Sequence, residues 1–161
     1  MSRICGTCTQ CCKIMGVEEL KKPANVWCQH CEIGVGCKIH GEHPPTCKAF
    51  ECLWLIDEHW PDSVKPDQSH VVMSATLDGE RLVANVDATR PNAYKTGEMG
   101  RLLYKVSQAI DVVVVIGDKW QVLTTPDRMA GVEKLKEQFR LEKLALQGLI
   151  AIDCTELDKL P

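Results

Sequence analysis

The sequence predicts an α+β protein: a small Cys-rich lobe stapled by metal, followed by an antiparallel sheet of two hairpins covered by two helices. Three observations predict it. Nine of the ten cysteines lie between Cys5 and Cys52. Before residue 61 no apolar period runs beyond about one or two helical turns. After residue 69, two apolar runs each bracket a tight turn, and each resulting hairpin is followed by apolar residues at helical spacing. The predicted division is a cysteine-rich lobe over 1–60 and an α+β lobe over 61–161.

Composition sets the bounds. A chain of 161 residues, 45% hydrophobic and 25% charged, belongs with globular domains rather than disordered ones. A formal charge of -3 leaves no basic footprint, so nucleic acid is not an expected partner. No run of about eighteen apolar residues could span a membrane, and the opening Met-Ser-Arg-Ile-Cys has no basic-then-apolar signal pattern. The expectation is a cytoplasmic protein without a membrane partner. In a reducing compartment, dense cysteines predict metal rather than disulfides.

In the first lobe, Gly, Pro and Cys punctuate every short segment, which leaves little apolar surface for a core. A region of about sixty residues in this state needs a structural metal or a partner. Phe50, Leu53, Trp54 and Trp60 are expected to share one helical face and pack this lobe onto its neighbour. Residues 61–69, with Pro61 and Pro66 among polar side chains, read as a connecting loop.

The grammar then changes. His70 to Leu77 and Glu80 to Asp87 flank Asp78-Gly79, a hairpin turn pair, with Val71, Met73 and Ala75 alternating. Met99, Leu102, Leu103, Val106 and Ile110 recur at helical spacing and predict an amphipathic helix from Gly97 to Ile110. Val112 to Ile116 is a continuous β-branched run, and Gly117-Asp118 turns it into Lys119 to Thr125 as a second hairpin with a buried first strand. Pro126 opens a second predicted helix, with Thr125 as its cap, running to about Gln147 and stopped by Gly148. Cys154, in an apolar tail, reads as a small hydrophobe outside the metal cluster.

The chemistry-bearing residues are Cys5, Cys8, Cys11, Cys12, Cys28, Cys31, Cys37, Cys47 and Cys52. Two thiolates on one tight turn can reach the same soft ion, and Cys5/Cys8 and Cys28/Cys31 are two such knuckles. Side chains of adjacent residues point apart, so Cys11 and Cys12 suit two sites or one bridged cluster better than one tetrahedron. Each knuckle would take one ion, with Cys11 and Cys12 divided between them and Cys37, Cys47 and Cys52 completing the shells. Two closed sites need eight ligands, so one thiol is left over. His30, His40 and His43 stand among the thiols and could each replace a cysteine, although a lone loop histidine is more often exposed or a hydrogen-bonding neighbour than a ligand.

The run Cys5-x-x-Cys8-x-x-Cys11-Cys12, followed by Cys37-Lys-Ile-His40-Gly-Glu-His43-Pro-Pro-Thr-Cys47-Lys-Ala-Phe50, resembles the CxxCxxCC family of zinc- or iron-chelating proteins. The doubled cysteine is the specific part. Both cysteines of the second block, Ile39, Pro44 and Phe50 keep the family pattern, while His40, His43 and Lys48 depart from it. The resemblance covers roughly the first third of the chain and implies a small bacterial metal-binding protein. A similar cysteine region occurs in flagellin lysine methylases, which brings in an iron-sulfur cluster as the rival to zinc. Ferredoxin-like spacing places a proline after its last cysteine, and neither Cys12 nor Cys52 is followed by one, which favours zinc.

Two functional classes follow. In one, about two thiolate-ligated ions, zinc favoured, are structural, and the α+β lobe offers a surface to a protein or small-molecule partner. In the other, iron or an iron-sulfur cluster performs redox or group-transfer chemistry at an open position. The sequence holds no Gly-rich phosphate loop, no serine, histidine and acid arrangement and no paired carboxylates above chance, so no catalytic residue is assigned.

Overall fold

The computed structural model describes residues 3–76 and 80–134, together with the backbone of 150–153. The first third is built from short pieces: helix α1 (Gln10–Ile14), a two-residue hairpin of β1 (Cys31–Glu32) and β2 (Gly36–Cys37), then α2 (Pro45–Ala49), α3 (Leu53–Ile56) and α4 (Pro66–Ser69). The rest carries β3 (Val71–Ala75), β4 (Leu82–Val86), α5 (Gly97–Ala109), β5 (Val112–Ile116), β6 (Lys119–Thr124) and β7 (Ile150–Asp153). The class is α+β, as the sequence predicts.

Both predicted hairpins form. Val71 lies opposite Val86 in one, and Val112 opposite Leu123 in the other. The Asp78-Gly79 turn lies outside the described residues. The sheet they build differs from the purely antiparallel expectation: in the order β3-β4-β5-β6-β7, β4 runs parallel to β5 and β6 parallel to β7. The reason is α5, whose 13 residues carry the chain from the end of β4 back across the sheet, so that β5 starts beside the start of β4. The strand β7 was not predicted; the alternating Ile150 and Ile152 in so short a tail are a weak signal beside the stronger runs.

Burial follows the register. Val71, Met73, Ala84, Val86, Val112, Val114 and Leu123 point to one face, where α5 covers them with Met99 and Leu103. Val113 and Val122 point to the other face and pack with Val132, from helical residues 129–134. The two helical segments therefore lie on opposite faces rather than together on one. The continuous valine run of β5 needs both faces covered, and this arrangement supplies both. The second helix is described only to residue 134, so its predicted end at Gln147 and Gly148 lies outside the described residues. Thr125 stands at the cap position but makes no cap bond to the backbone. Among the described residues its buried hydroxyl has no hydrogen-bond partner.

Gly100, in the first turn of α5, lies so close to the preceding chain that a Cβ would meet the carbonyl of Lys95 at 2.6 Å. At the other end, Arg128 donates to the carbonyls of Gln108, at 3.1 Å, and of Ser107, and pairs with Asp111 at 3.0 Å. These contacts fix where the helix begins and ends over the sheet.

The predicted connector is not a loose loop. Val64 and Pro66 are buried, and Val64 belongs to the same apolar cluster as Trp54, Tyr94 and the sheet. Trp54 packs into that core and Trp60 against it, but not along one helix. The helix α3 stops at Ile56, because Asp57 leaves the helical conformation and its carboxylate accepts from His59 N–H at 2.9 Å. Arg3 then gathers the chain, donating to the carbonyls of Trp54 at 2.8 Å, Asp57 at 3.0 Å and Trp60 at 2.5 Å while its guanidinium lies 4.7 Å from the Trp54 ring. Lys65 approaches that ring as well, at 5.5 Å.

One ion pair ties the first third to the sheet. Lys13 Nζ, at the end of α1, donates to Asp87 Oδ2 at 2.6 Å just beyond β4, with the side chains 15% and 3% exposed. Thr89 supports the carboxylate with its backbone N–H at 2.9 Å and its hydroxyl at 2.7 Å. Burial would push the Asp87 carboxyl up, but the hydrogen bonds from Lys13 and Thr89 outweigh it and hold the pKa below its ordinary value. Lys13→Met should therefore cost about 3 kcal/mol by leaving a buried carboxylate unpaired, and adding Asp87→Asn should recover part of that loss. Urea unfolding of the two variants measures both. Equal stability of Lys13→Met and wild type would remove the ion pair from this role.

Candidate metal centre

All nine described cysteines are free thiols. Their backbone is shaped by tight turns. Cys8 N–H donates to Cys5 O at 3.0 Å and Cys31 N–H to Cys28 O at 3.0 Å, so both predicted knuckles form. Cys28 N–H reaches back to Cys12 O at 3.0 Å, which sets the second knuckle beside α1. The hairpin of β1 and β2 places Cys37 opposite Cys31. Its tip is tied to the start of α1 by Gly34 N–H donating to Thr9 Oγ1 at 3.2 Å. Thr46 donates to Glu19 Oε1 from both its N–H, at 3.1 Å, and its hydroxyl, at 2.7 Å, and so positions α2 and Cys47.

The electrostatics of the thiols centre on Cys11. Cys5, Cys8 and Cys52 all feel Cys11, and Cys52 also feels Cys8. Cys12, Cys31 and Cys47 feel Cys11 as well, and in addition Cys12 feels Cys31, Cys31 feels Cys28, and Cys47 feels Cys28 and Cys37. The adjacent thiols do not diverge as the sequence reading expects of neighbouring side chains, since Cys12 and Cys11 hydrogen-bond each other. Cys11 is the acidic member, brought down to about 7 by a hydrogen bond from the Cys12 thiol. Cys12 goes the other way, held protonated as the donor of that bond and then by burial. Burial pushes up Cys5, Cys8, Cys31 and Cys47, and takes Cys52 to about 11.

The donor set suits a thiophilic ion, but the shells are not closed. Among the described residues, no group of three or more His, Cys, Asp or Glu side chains stands close enough together to hold a metal ion. The three histidines are occupied otherwise: His43 Nδ1 accepts Gly41 N–H at 2.9 Å, His40 stacks on His43 with ring centroids 5.1 Å apart, and His30 Nε2 lies 3.3 Å from Gln29 Nε2. Cys154 lies outside the described residues.

Sequence reasoning missed one contributor. Lys22 is 8% exposed, and its ammonium donates to the carbonyls of Lys13 at 3.2 Å, Pro23 at 3.2 Å and Met15. Its electrostatic neighbours are Cys28, Cys12, Cys47 and Cys11. Burial lowers its pKa, and the thiolates oppose that shift. Nothing in Lys21-Lys22-Pro23 distinguishes this side chain from a solvated surface charge, so no sequence signal could have found it.

A free-thiol lobe joined to a mixed sheet defines the class: a cysteine-rich α+β protein with a candidate thiolate metal centre. Compared with protein-family models, curated proteins and solved structures, the chain has no significant match. Among the described residues no helix is long and apolar enough to cross a membrane.

The thiol shifts carry a pH signature. Cys5, Cys8, Cys31, Cys47 and Cys52 are easier to keep neutral in the folded chain than at the ordinary value of 9.0. Their contribution to stability is complete below 9.0 and is lost as pH rises through the raised values, to about 11 at Cys52. Metal-free protein should accordingly lose thermal stability across that window, and Cys52→Ala should lose less. Melting curves on chelator-treated protein check this; equal losses in the two would deny Cys52 a share in the effect.

Proposed function

We propose that residues 1–60 form a metal-binding lobe that holds about two thiolate-ligated ions, zinc favoured, with the metal mainly structural. The observation that carries this reading is the presence of nine free thiols gathered electrostatically around the adjacent Cys11-Cys12 pair. Cys5, Cys8, Cys11 and Cys52 supply one set of four. Cys12, Cys28, Cys31, Cys37 and Cys47 supply the other, which has one thiol more than a closed shell needs and so contains the spare. An ion would draw the knuckles inward, because among the described residues no three potential ligands stand close enough together to hold it. Binding and local ordering are then one event, as in other small metal-stapled lobes.

The partner is proposed to meet the α+β half. A cleft of about 480 Å³ lies where the connector meets α5, lined by His70, Arg90, Asn92, Thr96 and Glu98 among others. Its lining suits a polar small molecule or a polar peptide.

Protein purified without oxygen should be colourless and carry about two zinc ions per chain by elemental analysis. Cys8→Ser and Cys31→Ser should each lose about one ion, while Cys154→Ser loses none. Brown protein with iron and sulfide in near-equal amounts would replace zinc with an iron-sulfur cluster and favour the redox reading. Protein free of both zinc and iron would end the metal assignment. Treatment with a strong chelator should also open the chain to protease before residue 65 and leave a resistant fragment starting near His70, because the sheet and its helices keep an aliphatic core. Cleavage within Val112–Ile116 as fast as around Cys28 would mean that metal holds one continuous core.

A further inference from the structure

We infer that the cleft between the connector and α5 binds a small molecule by its carboxylate, with the Arg90 guanidinium as the charged anchor. This inference rests on the reading above that places a polar partner in that cleft, and it names the chemical class of the partner.

Backbone hydrogen bonds fix the walls of the cleft. His70 ends α4 in a left-handed conformation, φ 58°, with its N–H on Pro66 O at 2.9 Å. From there Asp87 N–H donates to His70 O at 3.0 Å, Arg90 N–H to Asp87 O at 2.8 Å and Ala93 N–H to Arg90 O at 3.0 Å. This chain of bonds ties His70 and Arg90 to one opening of about 480 Å³, a volume that suits a metabolite-sized molecule.

The lining offers donors that nothing in the described chain takes up. Arg3, Lys13, Lys65 and Arg128 pair with Asp62, Asp87, Asp67 and Asp111. Among the described residues the Arg90 guanidinium has no such carboxylate and makes no side-chain hydrogen bond, and the Asn92 amide makes none either. The start of α5 adds backbone donors on the same cleft. Thr96 makes no side-chain cap bond, because its hydroxyl turns to Ala93 O at 3.3 Å, and the N–H groups of Gly97, Glu98 and Met99 have no partner among the described residues. One unmatched positive charge with neutral donors around a cavity recognises an oxyanion, and a planar guanidinium meets a carboxylate through two parallel hydrogen bonds. Glu98 then limits the charge. It lines the cleft with its carboxylate accepting the Ser63 hydroxyl, so a singly charged carboxylate is admitted more readily than a phosphate of higher charge.

The test follows backbone amide NMR signals of the whole chain, as purified, during titration with glycolate, glycolamide and inorganic phosphate. Glycolamide keeps the shape of glycolate without its charge. Glycolate should shift the signals of Arg90, Asn92, Gly97 and Glu98, and glycolamide should bind there about 10-fold more weakly or worse. Arg90→Gln should weaken glycolate about 10- to 100-fold, and Arg90→Lys should recover part of the loss, because it keeps the charge without the paired donors. Arg90 is exposed and unpaired, so both variants should melt with wild type. Glu98→Gln should tighten phosphate more than glycolate. Equal binding of glycolate and glycolamide, or unchanged glycolate affinity in Arg90→Gln, overturns the inference and leaves the cleft a site for neutral polar partners. Phosphate that outbinds glycolate in wild type overturns the carboxylate assignment. Shifts confined to residues outside the cleft overturn the inference as well. Silence of the cleft residues to all three probes, glycolamide included, ends both this inference and the reading it rests on.

Discussion

Helix α1 carries the two adjacent cysteines, and a buried ion pair at its end decides where they stand. Lys13 reaches Asp87 just past β4, and Thr89 holds the carboxylate from the other side. Asn25 adds a second tie, accepting the N–H of Ala88 through its side-chain oxygen at 2.8 Å. With α1 anchored, the second knuckle is placed by the bond from Cys28 to the Cys12 carbonyl, and the β1 hairpin by the bond from Gly34 to Thr9. The thiol arrangement thus inherits its position from the sheet. Removing that anchor would leave short helices of four or five residues with little to orient them.

The same dependence appears in the packing. A lobe whose buried aliphatics are as few as Ile14 and Val17 cannot make a core alone, so it borrows one. Trp54 and Val64 enter the apolar cluster of β3, β4, β5 and α5, and Arg3 ties the first residues of the chain to the carbonyls around α3. Covalent order puts a boundary near residue 61, while the core runs across it. What remains local to the first lobe is polar: turns, side-chain to backbone bonds and the thiols.

Electrostatics then explains why the thiols are poised rather than closed. Burial opposes ionisation at Cys5, Cys8, Cys31, Cys47 and Cys52, so each waits as a neutral thiol until something favours its charge. Cys11 is the exception, because the Cys12 thiol donates to it. This lowered thiol sits within electrostatic reach of Cys5, Cys8, Cys12, Cys31, Cys47 and Cys52. On the proposed reading, this is where an incoming ion would find its first thiolate, and the remaining protons would leave as the shells close.

The amino-acid sequence alone determined the α+β class, the two hairpins, the span of α5 and the two cysteine knuckles. Each rests on a local rule: alternation at Val71, Met73 and Ala75, helical spacing from Met99 to Val106, and tight turns between cysteines two residues apart. The tertiary structure decided what local rules cannot reach. The parallel pairing of β4 with β5 depends on how α5 returns the chain, and the placement of helical segments on opposite faces depends on the valine run of β5 needing cover twice. The fold also brings Cys52 within electrostatic reach of Cys8 and Cys11, and Cys47 within reach of Cys28 and Cys11, residues far apart along the chain. Lys22 is the plainest case: its sequence context resembles an ordinary surface charge, and only the fold buries it under α1 beside the thiols. A lysine's burial is set by what packs around it, and that is a property of the assembled chain.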